Sequence, residues 1–446
     1  MNVHFIAIGG SAMHSLAIAL NHKGYRITGS DDEIFEPSRS RLASLGLLPK
    51  KEGWDPGSIT PDLDAVILGM HAKSDNPELI RAKETGVKIY SYPEYLYEHS
   101  KDKIRIVIAG SHGKTTITAM ILHVLKESSV ECDFLIGAKL EGFNIMVRLT
   151  DTSPIMIFEG DEYLTSPIDP RPKFHLYRPH IALLSGIAWD HINVFPTFNC
   201  YLDQFREFIR RIEPAGSLTY CEADPILKEI SLHTRNDLKI YPYALSDYEI
   251  LNGITSIIHN GIRYPLHIFG RHNLTNLQGA RMICQQIGIS DECFFKSITG
   301  FKGASMRMEK LYQDHSLTVY RDFAHAPSKV KATINALNEQ YPDQTLVACF
   351  ELHTFSSLND LFLPHYAGTM DEADKAIVYF DPHAIKLKRL PEISPAQVKA
   401  GFGHPNLEVY SDSKLLKERL RLRPEGKSVL LLMSSGDFGG MAVSGF

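Results

Sequence analysis

Short apolar runs alternate with amphipathic stretches along the whole chain, and this pattern predicts strands that alternate with helices. The first run, residues 3–8, is followed by a glycine turn and then by apolar residues at i, i+3, i+4 and i+7, the spacing of one helix face. A second run at residues 25–29 completes a strand–helix–strand unit. Later runs at residues 104–109, 155–158 and 181–184 predict a mostly parallel sheet covered by helices.

A third set of apolar runs begins near residue 311. It predicts strands at residues 317–320, 346–350, 376–380, 407–410 and 429–433, with helices at residues 327–341 and 413–421. The sequence therefore predicts an α/β protein of three domains in series, covering residues 1–103, 104–310 and 311–446. Asn260 and Gly261 lie between alternating segments and predict a hairpin turn, which would add a small antiparallel part to the parallel sheet.

Composition and charge narrow the classes of protein. The 446 residues include 47 basic and 52 acidic side chains, a net charge of -5, and a protein held to nucleic acid by phosphate contacts would usually be basic. Six scattered cysteines without a CxxC pair predict neither a disulfide framework nor a thiolate zinc site, which fits a reducing cytoplasm. Because no apolar run reaches the roughly 18 residues of a membrane helix, we expect a soluble cytoplasmic protein with no membrane partner.

The strongest local motif follows the predicted strand at residues 104–109 and opens a helix. Glycines let backbone N–H groups point at a phosphate, a lysine reaches the β and γ phosphates, and a hydroxyl binds Mg²⁺. The motif supplies all three, although it is two residues shorter than the usual P-loop; its residues are Gly110, Ser111, His112, Gly113, Lys114, Thr115 and Thr116. A tight turn with an incidental lysine is the structural alternative.

Two further strands end in residues that suit a metal. Glu159 ends the strand at residues 155–158, where a carboxylate next to a P-loop holds Mg²⁺, with Asp161 and Glu162 as neighbouring groups. Asp190 and His191 follow the strand at residues 181–184. One of 20 histidines is more often structural than a ligand, so His191 is a candidate because of its position at a strand end.

The turn after the first strand carries a partial dinucleotide-binding fingerprint. Gly9, Gly10 and Ser11 form the turn, and Asp31 follows at a distance suited to a ribose contact. The pattern lacks a full GxGxxG, so a close strand–helix packing turn remains open. The first strand–helix–strand unit with Asp31 would also fit a nicotinamide-dependent oxidoreductase. That alternative gives no role to the P-loop.

Taken together, these motifs resemble the Mur ligases, the ATP-dependent amide-forming enzymes of bacterial cell-wall synthesis. The resemblance spans the chain and includes 270–273 (Gly-Arg-His-Asn), 322–325 (Asp-Phe-Ala-His) and 433–436 (Met-Ser-Ser-Gly). It implies a Rossmann-like first domain for the UDP-sugar, a central P-loop domain for ATP and Mg²⁺, and a Rossmann-like last domain for the amine substrate. It also implies that a carboxylate of the substrate attacks the γ-phosphate to give an acyl phosphate, which the amine then displaces.

The resemblance also assigns roles to single residues. Lys114 would contact the β and γ phosphates, Thr115 and Glu159 the first Mg²⁺, and His191 a second Mg²⁺. The remaining nucleotide contacts would be Asn273 to adenine, Arg307 to the phosphates, and Asp322 with His325 to the ribose and nearby groups. The strand ends near His353, Ser435 and Asp437 would hold the amine substrate, with ordinary loop chemistry as the alternative for each residue.

Within the family, the segments at residues 158–163 and 169–179 resemble the branch that joins UDP-N-acetylmuramate to the tripeptide L-alanyl-γ-D-glutamyl-meso-diaminopimelate. The branch that adds L-alanine to the same sugar is the second candidate. The chain departs from the family pattern at Ala7, Ala12 and Ala188, and no lysine that could carry a carbamate follows His191 before Lys228. These departures leave a non-catalytic nucleotide sensor as a further alternative.

Overall fold

A computed structural model describes residues 1–70, 72–138, 143, 145–189, 194–422 and 424–441. The contacts within the chain divide it into two units. The first unit consists of Met1–Gly186 and Leu202–Pro242, and the second of Ile187–Tyr201 and Tyr243–Phe446. No helix in the described ranges is long and apolar enough to cross a membrane.

The first unit contains two main sheets. Among the described residues, seven helices lie wholly or mainly in it, and the helix Phe198–Arg210 begins in the second unit. Its strands are β1 (Asn2–Ile6), β2 (Arg26–Ser30), β3 (Ala65–Leu68), β4 (Ile89–Ser91), β5 (Ile104–Ala109), β6 (Asp133–Leu135), β7 (Val147–Arg148), β8 (Ile155–Glu159), β9 (Leu164–Ser166), β10 (Asp169–Pro172), β11 (Ile181–Leu184), β12 (Ser217–Cys221) and β13 (Lys239–Tyr243). Its helices are α1 (Ser11–His22), α2 (Ser38–Ser44), α3 (Pro77–Thr85), α4 (Tyr92–Glu98), α5 (Lys114–Glu127), α6 (Phe198–Arg210) and α7 (Pro225–His233).

The first sheet has the order β2-β1-β3-β4, and its strands are parallel. Helix α1 forms where the apolar spacing predicts it, and Met13, Leu16 and Leu20 are buried. Strand β1 ends two residues before the predicted end because Ala7 adopts a positive φ of 68°. The strand–helix–strand unit that the sequence predicts at the N-terminus is confirmed.

The central sheet has the order β13-β12-β11-β5-β8-β6-β7. Strand β5 lies between β11 and β8, parallel to both, and its residues 105–109 are buried. Parallel strands covered on both faces are continuous apolar runs, as in this sheet. Because parallel strands end at the same edge, the residues that follow β5, β8 and β11 share the carboxyl edge of the sheet.

The second unit contains a small antiparallel sheet and a six-stranded sheet. Its strands are β14 (Tyr248–Leu251), β15 (Ile254–His259), β16 (Ile262–Pro265), β17 (Glu309–Gln313), β18 (Leu317–Asp322), β19 (Thr345–Leu352), β20 (Lys375–Phe380), β21 (Glu408–Tyr410) and β22 (Ser428–Met433). Its helices are α8 (Arg271–Gln286), α9 (Asp291–Ile298), α10 (Pro327–Gln340), α11 (Pro382–Leu387), α12 (Pro395–Phe402) and α13 (Ser413–Arg421).

The six-stranded sheet has the order β17-β18-β22-β19-β20-β21, with only β17 antiparallel among these strands. Buried apolar side chains cover both of its faces, so its central strands are mostly apolar, and β22 is apolar at every position from Val429 to Met433. The predicted α/β class with mostly parallel sheets is therefore confirmed.

The hairpin at Asn260 and Gly261 is also confirmed, with φ angles of 51° and 77° that suit a two-residue turn. The prediction that it adds to the parallel sheet is wrong, because β14, β15 and β16 form a separate sheet. Side chains of α10 bind this small sheet: Gln340 accepts a hydrogen bond from Thr255, and Tyr248 donates one to Glu339. The boundaries near residues 103 and 311 stay a prediction.

Candidate active site

The turn between β5 and α5 is built by two glycines. Gly110 has a φ of 121° and Gly113 a φ of 75°, and residues with a Cβ rarely adopt such backbone angles. A Cβ at Gly110 would lie 2.3 Å from Ser185 Oγ, so β11 leaves no space for one. The N–H group of Ser111 donates to Gly186 O at 2.9 Å and ties the turn to the strand alongside.

Lys114 is the first residue of α5 and points back across this turn. Its Nζ donates to Gly110 O at 2.7 Å and to Glu162 Oε2 at 2.6 Å. Burial by itself lowers the pKa of the Lys114 ammonium, but the carboxylates of Glu162 and Asp161 raise it above its ordinary value. Lys114 is therefore a cation throughout the physiological pH range, at the positive end of a helix.

Glu159 lies at the end of β8, next to the end of β5. Its Oε1 accepts a hydrogen bond from Thr115 Oγ1 at 2.7 Å, and its Oε2 accepts one from the N–H group of Gly137 at 2.7 Å. A carboxylate and a hydroxyl oxygen at this spacing are hard ligands of the kind that Mg²⁺ takes from proteins, together with waters and phosphate oxygens. The pair fits one Mg²⁺, although no group of three or more acidic, histidine or cysteine ligands occurs among the described residues.

An acidic cluster continues from Glu159. Lys173 Nζ donates to Asp161 Oδ2 at 2.6 Å. Burial opposes ionisation of Asp161, but the ammonium groups of Lys173 and Lys114 hold its pKa well below its ordinary value. Asp161 and Glu162 were expected near this site from the sequence. Lys173 was not, and its only signal was its place in the segment at residues 169–179.

Two tyrosines close the back of this cluster. Tyr92 and Tyr177 are buried, and their hydroxyl oxygens have no hydrogen-bond partner in the described part of the chain. Burial and the carboxylates of Asp161 and Glu159 raise the pKa of Tyr177 well above its ordinary value. Both phenols are therefore neutral near the acidic cluster, and the ring of Tyr177 stacks on Phe158 with 4.1 Å between centroids.

The candidates Asp190 and His191 lie outside the described residues, so the second metal position stays a prediction. Described residues on either side of them belong to the second unit. There Trp189 donates to Phe195 O at 3.0 Å, and its ring lies 6.1 Å from that of His365.

In the first unit, the turn of the partial fingerprint is held by the side chain of Asp31. Asp31 Oδ2 accepts the N–H group of Gly9 at 2.7 Å, and a Cβ at Gly9 would lie 2.9 Å from the same oxygen. Asp31 is only 4% exposed. Burial raises the pKa of Asp31 to about 7, and the neighbouring Asp32 adds to the shift. Gly10 and Ser11 continue the turn into α1, and their contacts with a UDP-sugar stay a prediction.

The second unit brings together three of the predicted nucleotide contacts. The guanidinium of Arg307 lies 4.5 Å from the ring centroid of Phe323, and that ring makes an edge contact with His325 at 5.5 Å. Asp322 ends β18, and its carboxylate accepts the N–H groups of Met308 at 2.7 Å and Ala324 at 2.8 Å. Asp322 therefore holds the loop that carries Arg307.

Asn273 lies in the first turn of α8, where it is buried and donates to Phe269 O at 2.9 Å. Burial lowers the pKa of the neighbouring His272, and the carboxylate of Asp322 offsets part of this shift. The start of α8 therefore lies within electrostatic reach of the end of β18. The P-loop, Thr115 and Glu159 belong to the first unit, whereas Asn273, Arg307, Asp322 and His325 belong to the second.

The residues predicted for the amine substrate surround a carboxylate that the sequence analysis did not select. Glu351 is buried at the end of β19, where it accepts hydrogen bonds from Ser434 Oγ and, at 2.9 Å, from the N–H group of Phe438. Its Oε1 lies 3.7 Å from His353 Nδ1. The available signal was an acidic residue in an otherwise apolar strand.

Ser435 and Asp437 lie on the loop that Glu351 holds. The hydroxyl oxygen of Ser435 is buried and has no partner among the described residues, while Asp437 accepts the N–H group of Gly440 at 3.1 Å. The structure thus places His353, Ser435 and Asp437 at one edge of the six-stranded sheet, where β19 and β22 end.

Known proteins resemble this chain over most of its length. A ligase from Haemophilus influenzae named UDP-N-acetylmuramate--L-alanyl-gamma-D-glutamyl-meso-2,6-diaminoheptandioate ligase is 28% identical over 99% of this chain and 97% of its own. The UDP-N-acetylmuramate--L-alanine ligase of Limosilactobacillus reuteri is 30% identical over 84% of both chains. The crystal structure of a murein peptide ligase from Psychrobacter arcticus matches with a TM-score of 0.68 and 23% identity, covering 99% of this chain and 97% of that one.

Three family models match successive parts of the chain. The catalytic domain of the Mur ligase family matches residues 2–104, the Mur ligase middle domain residues 108–284, and the Mur ligase glutamate ligase domain residues 306–436. The middle model includes the glycine turn, Lys114 and Glu159, the residues whose geometry suits a phosphate and a metal. With all three models matched in order over most of its length, the chain belongs to the Mur ligase family.

Proposed function

We propose that this chain is an ATP-dependent ligase that joins UDP-N-acetylmuramate to the tripeptide L-alanyl-γ-D-glutamyl-meso-diaminopimelate in peptidoglycan recycling. The observation that carries the proposal is the glycine turn with Lys114 across it and with the Thr115–Glu159 pair alongside. The choice of the tripeptide is supported by the relative from Haemophilus influenzae, which matches this chain over almost its whole length.

The reaction needs two displacements. An oxygen of the muramate carboxylate forms a bond to the γ-phosphorus while the bond from that phosphorus to the bridging oxygen breaks, which gives an acyl phosphate and ADP. The amino nitrogen of the tripeptide then attacks the acyl carbon, phosphate leaves with the electron pair of the broken C–O bond, and the nitrogen loses a proton. Both steps need positioning and charge neutralisation more than a protein nucleophile.

Lys114 is arranged to neutralise phosphate charge in the first step. Its ammonium group has three N–H donors, and Gly110 O and Glu162 take two of them. The third is available to an oxygen of the β or γ phosphate. Because Glu162 is only 2% exposed, the ammonium is held in place before ATP arrives.

Thr115 and Glu159 would hold one Mg²⁺, which neutralises charge on the phosphate oxygens when bound. The hydrogen bond between them fixes both oxygens near the start of α5, and Gly137 fixes the second carboxylate oxygen. We propose Asn273, Arg307, Asp322 and His325 as further contacts of the nucleotide, and His191 as the ligand of a second Mg²⁺.

We place the UDP-sugar at the turn of Gly9, Gly10 and Ser11 with Asp31, and the amine substrate near His353, Ser435 and Asp437. The Glu351 carboxylate supports the second placement, since it holds the loop of Ser435 and Asp437 and lies beside His353.

The test is a comparison of amine substrates. The protein is incubated with UDP-N-acetylmuramate, ATP and Mg²⁺, with either the tripeptide or L-alanine, and ADP release is followed in both. We expect turnover with the tripeptide and little with L-alanine; samples without the UDP-sugar measure background hydrolysis.

An enzyme that adds L-alanine to UDP-N-acetylmuramate is the second candidate, favoured by the relative from Limosilactobacillus reuteri. Turnover with L-alanine but not with the tripeptide would establish it in place of the first. An absence of turnover with both amines would contradict both candidates.

A further inference from the structure

The first unit has a cavity away from the glycine turn. It has a volume of about 600 Å³, within the range of small-molecule sites. Its walls include Arg178, just before β11, and Glu213 with Pro214, just before β12. These residues precede parallel strands, so the cavity lies at the amino edge of the central sheet, whereas the glycine turn lies at the carboxyl edge.

Arginines dominate the charge of this cavity. Five arginines and three glutamates line it, together with Tyr97 of α4 and His175. Burial lowers the pKa of His175 to about 4, so this side chain is neutral at physiological pH. The charged groups of the lining are therefore mainly guanidinium groups, which match the geometry of phosphate and carboxylate oxygens.

Two of the arginines make only long ion pairs with the carboxylates of the protein. The side chains of Arg178 and Arg210 are 56% and 59% exposed, and their ion pairs with Glu213 and Glu207 are long, at 3.7 Å and 3.6 Å. Each of those carboxylates is already bonded more closely by another arginine. Arg105 lies 2.9 Å from Glu213, and Arg211 lies 2.8 Å from Glu207.

The backbone that carries Arg178 is held rigidly. Arg105 is 3% exposed, and its Nε donates to Tyr177 O at 3.0 Å and to Arg178 O at 2.9 Å. Arg178 itself has a positive φ of 44°, a conformation that costs energy for a residue with a Cβ. The backbone position of Arg178 is therefore fixed, while its exposed guanidinium can turn toward an anion.

We propose that this cavity binds an anion with two or more negative charges, such as a diphosphate or a polycarboxylate, through Arg178 and Arg210. The site is separate from the proposed ATP site and does not depend on the proposed ligase activity. The segment at residues 169–179, whose Lys173 binds Asp161 near the P-loop, also supplies Arg171 and Arg178 to the cavity.

Titration calorimetry on a Lys114→Ala, Glu162→Gln double variant, without Mg²⁺, tests the proposal with inorganic pyrophosphate and with citrate. This protein lacks the lysine of the glycine turn and leaves no buried carboxylate without its ammonium partner. We expect pyrophosphate to bind with a stoichiometry of one. Binding of pyrophosphate but not citrate supports a site for phosphate groups, and binding of both supports a site that recognises charge alone. Binding of neither overturns the proposal.

Variants locate the site. Arg178→Gln with Arg210→Gln, added to Lys114→Ala and Glu162→Gln, should weaken pyrophosphate binding at least tenfold. Arg206→Gln is the matched control, since Arg206 is on α6 like Arg210, pairs with Asp203 and does not line the cavity. Unchanged binding in the double substitution, or an equal loss in the control, overturns the assignment; the thermal midpoint of each variant shows that it is folded.

Discussion

Lys114 is a single side chain whose environment decides its chemistry. Burial disfavours its charge, and the buried carboxylate of Glu162 restores it. Each group of the pair therefore stabilises the charge of the other, and removal of one leaves the other without this counter-charge. At this scale the structure adds to the motif a partner that explains why the lysine is charged and where it points.

Lys114→Ala should lower the rate of ADP release by at least about 100-fold, because a positioned charge near the transferred phosphate is lost. It should also destabilise the fold by about 3–5 kcal/mol, because the buried Glu162 loses the ammonium group that it pairs with. Adding Glu162→Gln should restore much of the stability but none of the activity. Lys126→Ala, an exposed change at the far end of α5, is the control. Normal ADP release in Lys114→Ala would refute the role of this lysine.

The raised pKa of Asp31 predicts that the stability of the protein depends on pH. In the folded state its pKa is raised to about 7 from an ordinary value of 3.8. Between these values the folded state holds a proton that the unfolded state has lost, so the contribution of Asp31 to the free energy of unfolding falls as the pH rises.

Asp31→Asn keeps an oxygen for the N–H group of Gly9 and removes the titration. Urea unfolding from pH 5 to pH 8 should therefore show a smaller loss of stability in this variant than in the wild type. Parallel curves for the two proteins would show that Asp31 ionises normally in the folded state.

At the scale of elements, β5 connects two features of the first unit. Arg105 near its amino end binds carbonyl groups of neighbouring segments, and Gly110 after its carboxyl end starts the phosphate-binding turn. The apolar spacing was sufficient to predict β5 and α5, because both elements bury a regular pattern of side chains. The close approach of Ser185 to Gly110 was not predictable, because β11 follows more than 70 residues later.

Gly110→Ala should destabilise the protein by more than about 3 kcal/mol, because a positive φ and a Cβ close to Ser185 both oppose it. Gly24→Ala is the matched control: Gly24 also has a positive φ, of 86°, but a Cβ there meets nothing within 4 Å. The control should lose only about 1–2 kcal/mol. Chemical unfolding measures both; equal losses would mean that the turn moves to accept a side chain.

At the scale of the whole molecule, single buried groups join segments that are far apart in the chain. The guanidinium of Arg105 binds carbonyl oxygens of Ser100, Lys101, Tyr177 and Arg178 and the carboxylate of Glu213. It therefore links the end of the first predicted domain to two parts of the central one, residues 177–178 and Glu213. The family was predictable at this scale because its motifs occur in order, and the family models confirm it.

Arg105→Met should lower the free energy of unfolding by at least about 3 kcal/mol, since several carbonyl groups and Glu213 lose their donor. Arg206→Met removes an arginine from a partly exposed ion pair and should stay within about 0.5 kcal/mol of wild type. Urea unfolding checks both variants. A small effect of Arg105→Met would mean that water replaces the guanidinium.

Several candidate residues followed from position alone. Glu159 and His353 were selected because each follows a predicted strand, and parallel strands bring their ends to one edge. Asp322 was assigned through the resemblance to the Mur ligases. Glu351 and Lys173 were not selected, because their importance comes from partners that the fold supplies: the loop at residues 434–438 for Glu351 and Asp161 for Lys173.

The sequence by itself determined the alternation of strands and helices, the glycine turn with its lysine, and membership of the family, because these depend on local spacing and on motif order. Only the tertiary structure decided the partners of Lys114, the separate antiparallel sheet, the buried Glu351, and the arginine cavity at the amino edge of the central sheet. The physical reason is that charge, burial and pKa depend on groups distant in the chain, which contribute only after the strands have paired.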